Sequence, residues 1–211
     1  MAEALRLTCR IAVLDFDGVI LESADIKTRA FRALFAHHPE HVDAIVDHHV
    51  RNAGISRYEK FRHVLANVLR QPVTDAQLAA LGRRFSDLIA AEMEKAPFVP
   101  GALEFILEYS RTMRLYVASG TPEEELLALV TGRGLRPYFS GVHGSPATKP
   151  QILSDILVTQ NVPCFEAVFV GDARTDYEAA KAVGVRFVGR VSRESRDDPF
   201  YDLQVPVLPD L

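Results

Sequence analysis

A short apolar run, Ile11-Ala12-Val13-Leu14, stops abruptly at two carboxylates, Asp15 and Asp17, with Gly18 behind them. A β-branched, unalternating run of this kind suits a strand buried on both faces of a parallel sheet. Parallel neighbours need crossover connections, so the rest of the chain must supply strands that alternate with helices. Carboxylates at the carboxyl end of such a strand sit where open α/β sheets bind their ligands. Out of bulk water they need compensation, for which a divalent cation is a candidate. Alone, Asp-x-Asp-Gly also describes an ordinary acidic turn or part of a calcium loop.

The remaining 190 or so residues divide by pattern. From about residue 22 to about 97 the chain reads as helical. Ala24 to Phe35, Tyr58 to Leu69 and Thr74 to Met93 carry apolar residues at three- and four-residue spacing, and Thr74 with Gln77 resembles a capping box. After Pro97, Pro100 and Gly101 helices alternate with short strands. Ala102 to Arg111 reads as a helix, Leu115 to Ala118 as a strand, and Thr121 as the cap of a helix with Pro122 in its first turn. Gly141 to Pro146 reads as a loop, and a further helix starts near Pro150. Ala167 to Val170 reads as a strand, Asp176 to Ala182 as a helix closed by Gly184, and Val185 to Val188 as a last strand. The tail from Arg193 is expected to be irregular and packed along the core. The fold class is therefore α/β: a Rossmann-like parallel sheet core, residues 1–21 and 98–211, with an inserted α-helical cap over residues 22–97.

Composition bounds the function. A hydrophobic content of 48% suits a globular core, and the net charge of −4 argues against a broad grip on nucleic acid. No apolar stretch approaches the roughly 20 residues that span a bilayer. Met1 to Arg6 makes a poor signal peptide, and Cys9 and Cys164 lack metal or redox spacing and read as packing residues. The expectation is a cytoplasmic protein, monomeric or weakly dimeric, with a small-molecule partner and neither membrane nor nucleic acid. The pairs His37-His38 and His48-His49 lack helix-face metal spacing and read as surface or loop residues.

Three more element ends bring polar groups to the same sheet edge: Ser119-Gly120-Thr121, Lys149-Pro150, and Gly171-Asp172 with Asp176 beyond it. Phosphoryl transfer needs such a set. One carboxylate can serve as nucleophile, a second can move protons, and a hydroxyl, a lysine and a cation can neutralise the phosphoryl oxygens.

These residues resemble the four motifs of the haloacid dehalogenase superfamily, in its phosphatase and phosphoglucomutase-like branch with a helical cap. Asp15-Phe16-Asp17-Gly18-Val19 is similar to the first motif, Ser119 to the second, Lys149 to the third, and Gly171 to Asp176 to the fourth. The resemblance implies that Asp15 is the nucleophile and Asp17 the general acid/base. It implies that Ser119, Gly120 and Lys149 bind the phosphoryl group. Magnesium would be held by Asp15, the Asp17 carbonyl and Asp172, with Asp176 acting through water or from behind the direct ligands. Gly54-Ile55-Ser56-Arg57 resembles a cap segment of sugar-phosphate mutases, which makes Arg57 a candidate for substrate binding; it also reads as a helix start with a surface charge. Lys27 stands where those mutases carry a histidine and is a second candidate. A lysine there can pair with the acidic residues, meet an anionic substrate or face solvent. The implied activity is hydrolysis of a small phosphate monoester through an aspartyl-phosphate. A phosphomutase and a non-catalytic phosphate-binding protein are the alternatives.

Overall fold

The computed structural model describes residues 9–195 and 198–211, so the expectation for the first six residues lies outside the described part. Strand β1 (Ile11–Leu14) is followed by four helices: α1 (Ala24–Leu34), α2 (Val42–Arg51), α3 (Arg57–His63, continued by a π-helical turn over Val64–Val68) and α4 (Asp75–Lys95). Then come α5 (Ala102–Tyr109), β2 (Arg114–Pro122), α6 (Glu123–Gly132), β3 (Gly141–Ser145), α7 (Lys149–Gln160), β4 (Ala167–Gly171), α8 (Arg174–Val183), β5 (Arg186–Arg190) and β6 (Val207–Leu208). The six strands form one parallel sheet in the order β3-β2-β1-β4-β5-β6. Among the described residues no helix is long and apolar enough to cross a membrane.

The central strands are buried on both faces, as their composition requires. In β1, Ala12 and Leu14 join the larger core cluster, while Ile11 and Val13 join the second. Val168 and Val170 of β4 face the first cluster and Phe169 the second, the period-two alternation of a pleated strand. The first cluster runs on into the insertion through Phe31, Phe61 and Phe85, whose ring centroids lie 5.1–6.1 Å apart. Strand order reverses at β1, which has β2 on one side and β4 on the other. The crevice at the carboxyl ends of β1 and β4 is the topological switch point where open sheets bind ligands.

Several local expectations need correction. Gly141–Ser145 is strand β3, not a loop, and its glycines are the reason. A Cβ at Gly141 would meet the Tyr116 ring at 2.9 Å, so glycine lets β3 lie close against β2. Thr121 caps nothing: β2 runs on to Pro122, α6 starts at Glu123, and the Thr121 hydroxyl turns to Asp17 instead. His48 and His49 lie within α2, and His49 is buried against Phe31 with ring centroids 4.0 Å apart. The tail is mostly irregular, but it adds β6 to the sheet edge and buries Phe200. The capping box of Thr74 and Gln77 forms as expected.

Candidate active site

β1 delivers Asp15 directly. Its backbone N–H donates to the Val170 carbonyl at 2.9 Å, continuing the ladder one residue past the strand. The residue is 2% exposed, and its side chain accepts from Phe16 N at 2.7 Å through Oδ1. Lys149, at the start of α7, donates from Nζ to Asp15 Oδ2 at 2.7 Å and to Asp176 Oδ1 at 2.5 Å. Asp176 is fully buried, and its other oxygen accepts from Ala173 N at 3.1 Å at the entry of α8. Asp172 closes the group: one oxygen each from Asp15, Asp172 and Asp176 lie within 4.8 Å of one another.

Three carboxylates and one ammonium leave uncompensated negative charge. Burial pushes the Asp15 carboxyl up to about 7, with Asp176 and Asp17 adding to the rise against the pull of Lys149. Burial and the charges of Asp15 and Asp176 raise Asp172 well above the carboxylate range. Lys149 is held charged, because Asp15 and Asp176 outweigh the burial that opposes it. An all-oxygen donor set with surplus negative charge fits a hard divalent cation.

Asp17 points elsewhere. Ser23 Oγ donates to its Oδ1 at 2.6 Å, Lys27 Nζ donates to its Oδ2, and Thr121 Oγ1 donates to the same oxygen at 3.2 Å. Lys27 also donates to Thr121 Oγ1 at 2.7 Å. Burial would raise this carboxyl, but the charge and hydrogen bond of Lys27 prevail and hold it below its ordinary range. Gly18 follows in the left-handed region at φ +74°, and a Cβ there would run into the Asp172 carboxylate. Ser119, 1% exposed, accepts from Thr121 N at 3.1 Å. A Cβ at Gly120 would come 2.6 Å from the Gly54 carbonyl, so glycine admits the insertion to the site.

The sequence-derived candidates thus gather around one cavity of about 370 Å3, lined by Asp15, Asp17, Lys27, Ser119, Gly120 and Asp172 among others. Lys149 reaches it through Asp15. Arg57 also lines it, but its guanidinium is already engaged. Nη2 pairs with Glu125 Oε1 of α6 at 2.6 Å, Nη1 donates to Ser86 Oγ at 3.0 Å, and the group lies 4.7 Å from the Phe85 ring centroid. Sequence reasoning missed Thr121, whose cap-like context hid its contact with Asp17. It also missed His49 and Lys60, which line the cavity from α2 and α3. The signal for Lys60 was its position one helical turn beyond Arg57, on the same face.

A family model for haloacid dehalogenase-like hydrolases matches residues 9–184. The chain belongs to this family. A phosphoglycolate phosphatase from Pseudomonas savastanoi pv. phaseolicola is 33% identical over 135 residues, 60% of this chain and 49% of that protein. The chain therefore spans about half the length of that relative. A second phosphoglycolate phosphatase, from Pseudomonas fluorescens, is 26% identical over 85% of this chain and 68% of its own length. In structure the chain resembles a mutant of CbbY from Rhodobacter sphaeroides in complex with xylulose-(1,5)bisphosphate. The two match with a TM-score of 0.73 and 22% identity, over 96% of this chain and 94% of that one. That likeness shows the shared fold.

Proposed function

We propose that this hydrolase is a magnesium-dependent phosphatase that cleaves a small phosphate monoester through an aspartyl-phosphate. The observation that carries the reading is the buried Lys149 ammonium between Asp15 and Asp176, beside Asp172, at the switch point of the sheet. Relatives named phosphoglycolate phosphatases support it, and so does a cavity at the small end of the usual range for ligand pockets.

Asp15 attacks phosphorus, the bond to the leaving oxygen breaks, and Asp17 gives that oxygen a proton. A water molecule then attacks the acyl phosphate, returns its proton to Asp17 and releases inorganic phosphate from Asp15. The observed contacts hold Asp17 ionised, the form that accepts a proton from water. A phosphate dianion competing for Lys27 frees Asp17 to carry a proton for the first half. Ser119 and the backbone around Gly120 bind phosphoryl oxygens, and Lys149 neutralises their charge. Asp15, the Asp17 carbonyl and Asp172 would hold magnesium, which lets an anionic nucleophile approach an anionic ester. With Arg57 committed to Glu125, its role here is to hold the helical insertion against the core.

Phosphate release from a panel of small esters, with and without magnesium, tests the reading on wild type and Asp15→Asn. Magnesium-dependent release that disappears in the variant is the expected result. Release that survives Asp15→Asn overturns it, and isomerisation without release points to the mutase.

A further inference from the structure

Lys60 is 4% exposed, yet among the described residues no carboxylate lies within ion-pairing distance of it. Its Nζ donates to His49 Nδ1 and to the His49 carbonyl, both at 3.2 Å, and lies 5.8 Å from the Phe31 ring centroid. A buried cation satisfied only by a neutral ring and a carbonyl is costly, and proteins seldom keep one without a use. Lys60 and His49 line the same cavity as Asp15, Asp17 and Lys27, entering it from the helical insertion. His49 is itself held neutral, its pKa pushed down to about 3 by burial and by the Lys60 and Lys27 charges. An ammonium can only donate, so Nδ1 of this ring accepts and its proton sits on Nε2, which leaves one N–H of the ammonium unspent.

We propose that Lys60, oriented by His49, binds a carboxylate on the substrate, so that the ester cleaved is that of a short hydroxy acid. This rests on the phosphatase reading and names its substrate class. A single remaining N–H suits one carboxylate oxygen better than a second phosphate, whose three oxygens would demand several donors. The cavity of about 370 Å3 admits phosphate plus a short acid with room to spare. Lys27, the other lysine lining the cavity, is held by Asp17 and Thr121 and in turnover serves the phosphate.

The test compares 2-phosphoglycolate with 2-hydroxyethyl phosphate, which replaces the carboxylate by an alcohol. Turnover is measured at pH 6, where Lys60 carries its proton, on wild type, Lys60→Met and Lys60→Gln, and binding by calorimetry at the same pH on the same variants in an Asp15→Asn background. Wild type is expected to prefer the acid in kcat/KM and in affinity by about ten- to a hundredfold, the usual weight of a charged hydrogen bond. Both substitutions should shrink that ratio to within a few-fold of one. Lys60→Gln keeps a donor for His49 and so separates charge from packing. An unchanged ratio in both variants, or a wild type that binds and turns over the two compounds equally, overturns the proposal. Lysine-dependent preference in binding without any turnover upholds the carboxylate site and instead sinks the phosphatase reading.

Discussion

Replacing Lys60 by methionine should make the protein more stable at pH 6, with an advantage that falls as pH rises. Burial, reinforced by the Lys27 and Lys149 charges, lowers the Lys60 pKa from 10.5 to about 7. The gap corresponds to roughly 5 kcal/mol of penalty while the amine is charged. Methionine removes that penalty but forfeits two hydrogen bonds to His49, about 1 kcal/mol each, and leaves His49 Nδ1 without its donor. The net expectation at pH 6 is a gain of about 2 kcal/mol. The sign follows from proton counting. Between pH 7 and 10.5 the unfolded lysine is protonated and the folded one is not, so wild-type stability climbs with pH across this window. Below it both states carry the proton and the full penalty applies. The advantage of the variant is therefore greatest at pH 6, vanishes at about pH 8.5, where about 2 kcal/mol of the penalty has been relieved, and turns into a deficit above that. Urea unfolding at pH 6, 8 and 9.5, with midpoints compared at constant m-value, measures it. A variant less stable than wild type at pH 6, or a difference that ignores pH, would refute the reasoning and make Lys60 a structural residue.

Asp17→Asn should cost about 10²–10⁴-fold in kcat on alkyl phosphates and much less on an aryl ester whose leaving group needs no proton, as phosphate release would record. Gly18→Ala should destabilise by at least about 1–2 kcal/mol from its left-handed backbone alone. By displacing Asp172 it should also raise the magnesium concentration needed for half-maximal activity; wild-type values for both would count against the close approach of Gly18 to Asp172. Glu125→Gln weakens the partner of a 5%-exposed arginine and should cost about 2 kcal/mol in thermal or urea unfolding, because Arg57 keeps its charge but loses its counter-ion. A change within error would mean that Ser86 and Phe85 suffice to hold Arg57.

How much of this was legible in the chain depends on how local each signal is. The apolar run into Asp15 and Asp17, the capping box at Thr74 and Gln77, and the left-handed Gly184 that ends α8 all depend on residues a few positions apart. Each is found where the pattern put it. Strand β3 was not readable, because Gly141 and Gly144 look like turn residues until β2 and α6 are seen pressed against them. His49 was misread because adjacent histidines show no metal spacing, although Ile45 and His49 stand one helical turn apart and are buried on one face of α2.

The sequence by itself determined the reactive groups and the ends of the strands that carry them, because strand burial, caps and acidic turns are written in short-range pattern. Only the tertiary structure decided which groups meet. It brought Lys27 to Asp17 and Thr121, Lys149 between Asp15 and Asp176, Arg57 to Glu125, and left Lys60 buried with no counter-ion among the described residues. Charge is compensated through space rather than along the chain, and desolvation depends on everything packed around a group, so neither can be read from its neighbours in sequence.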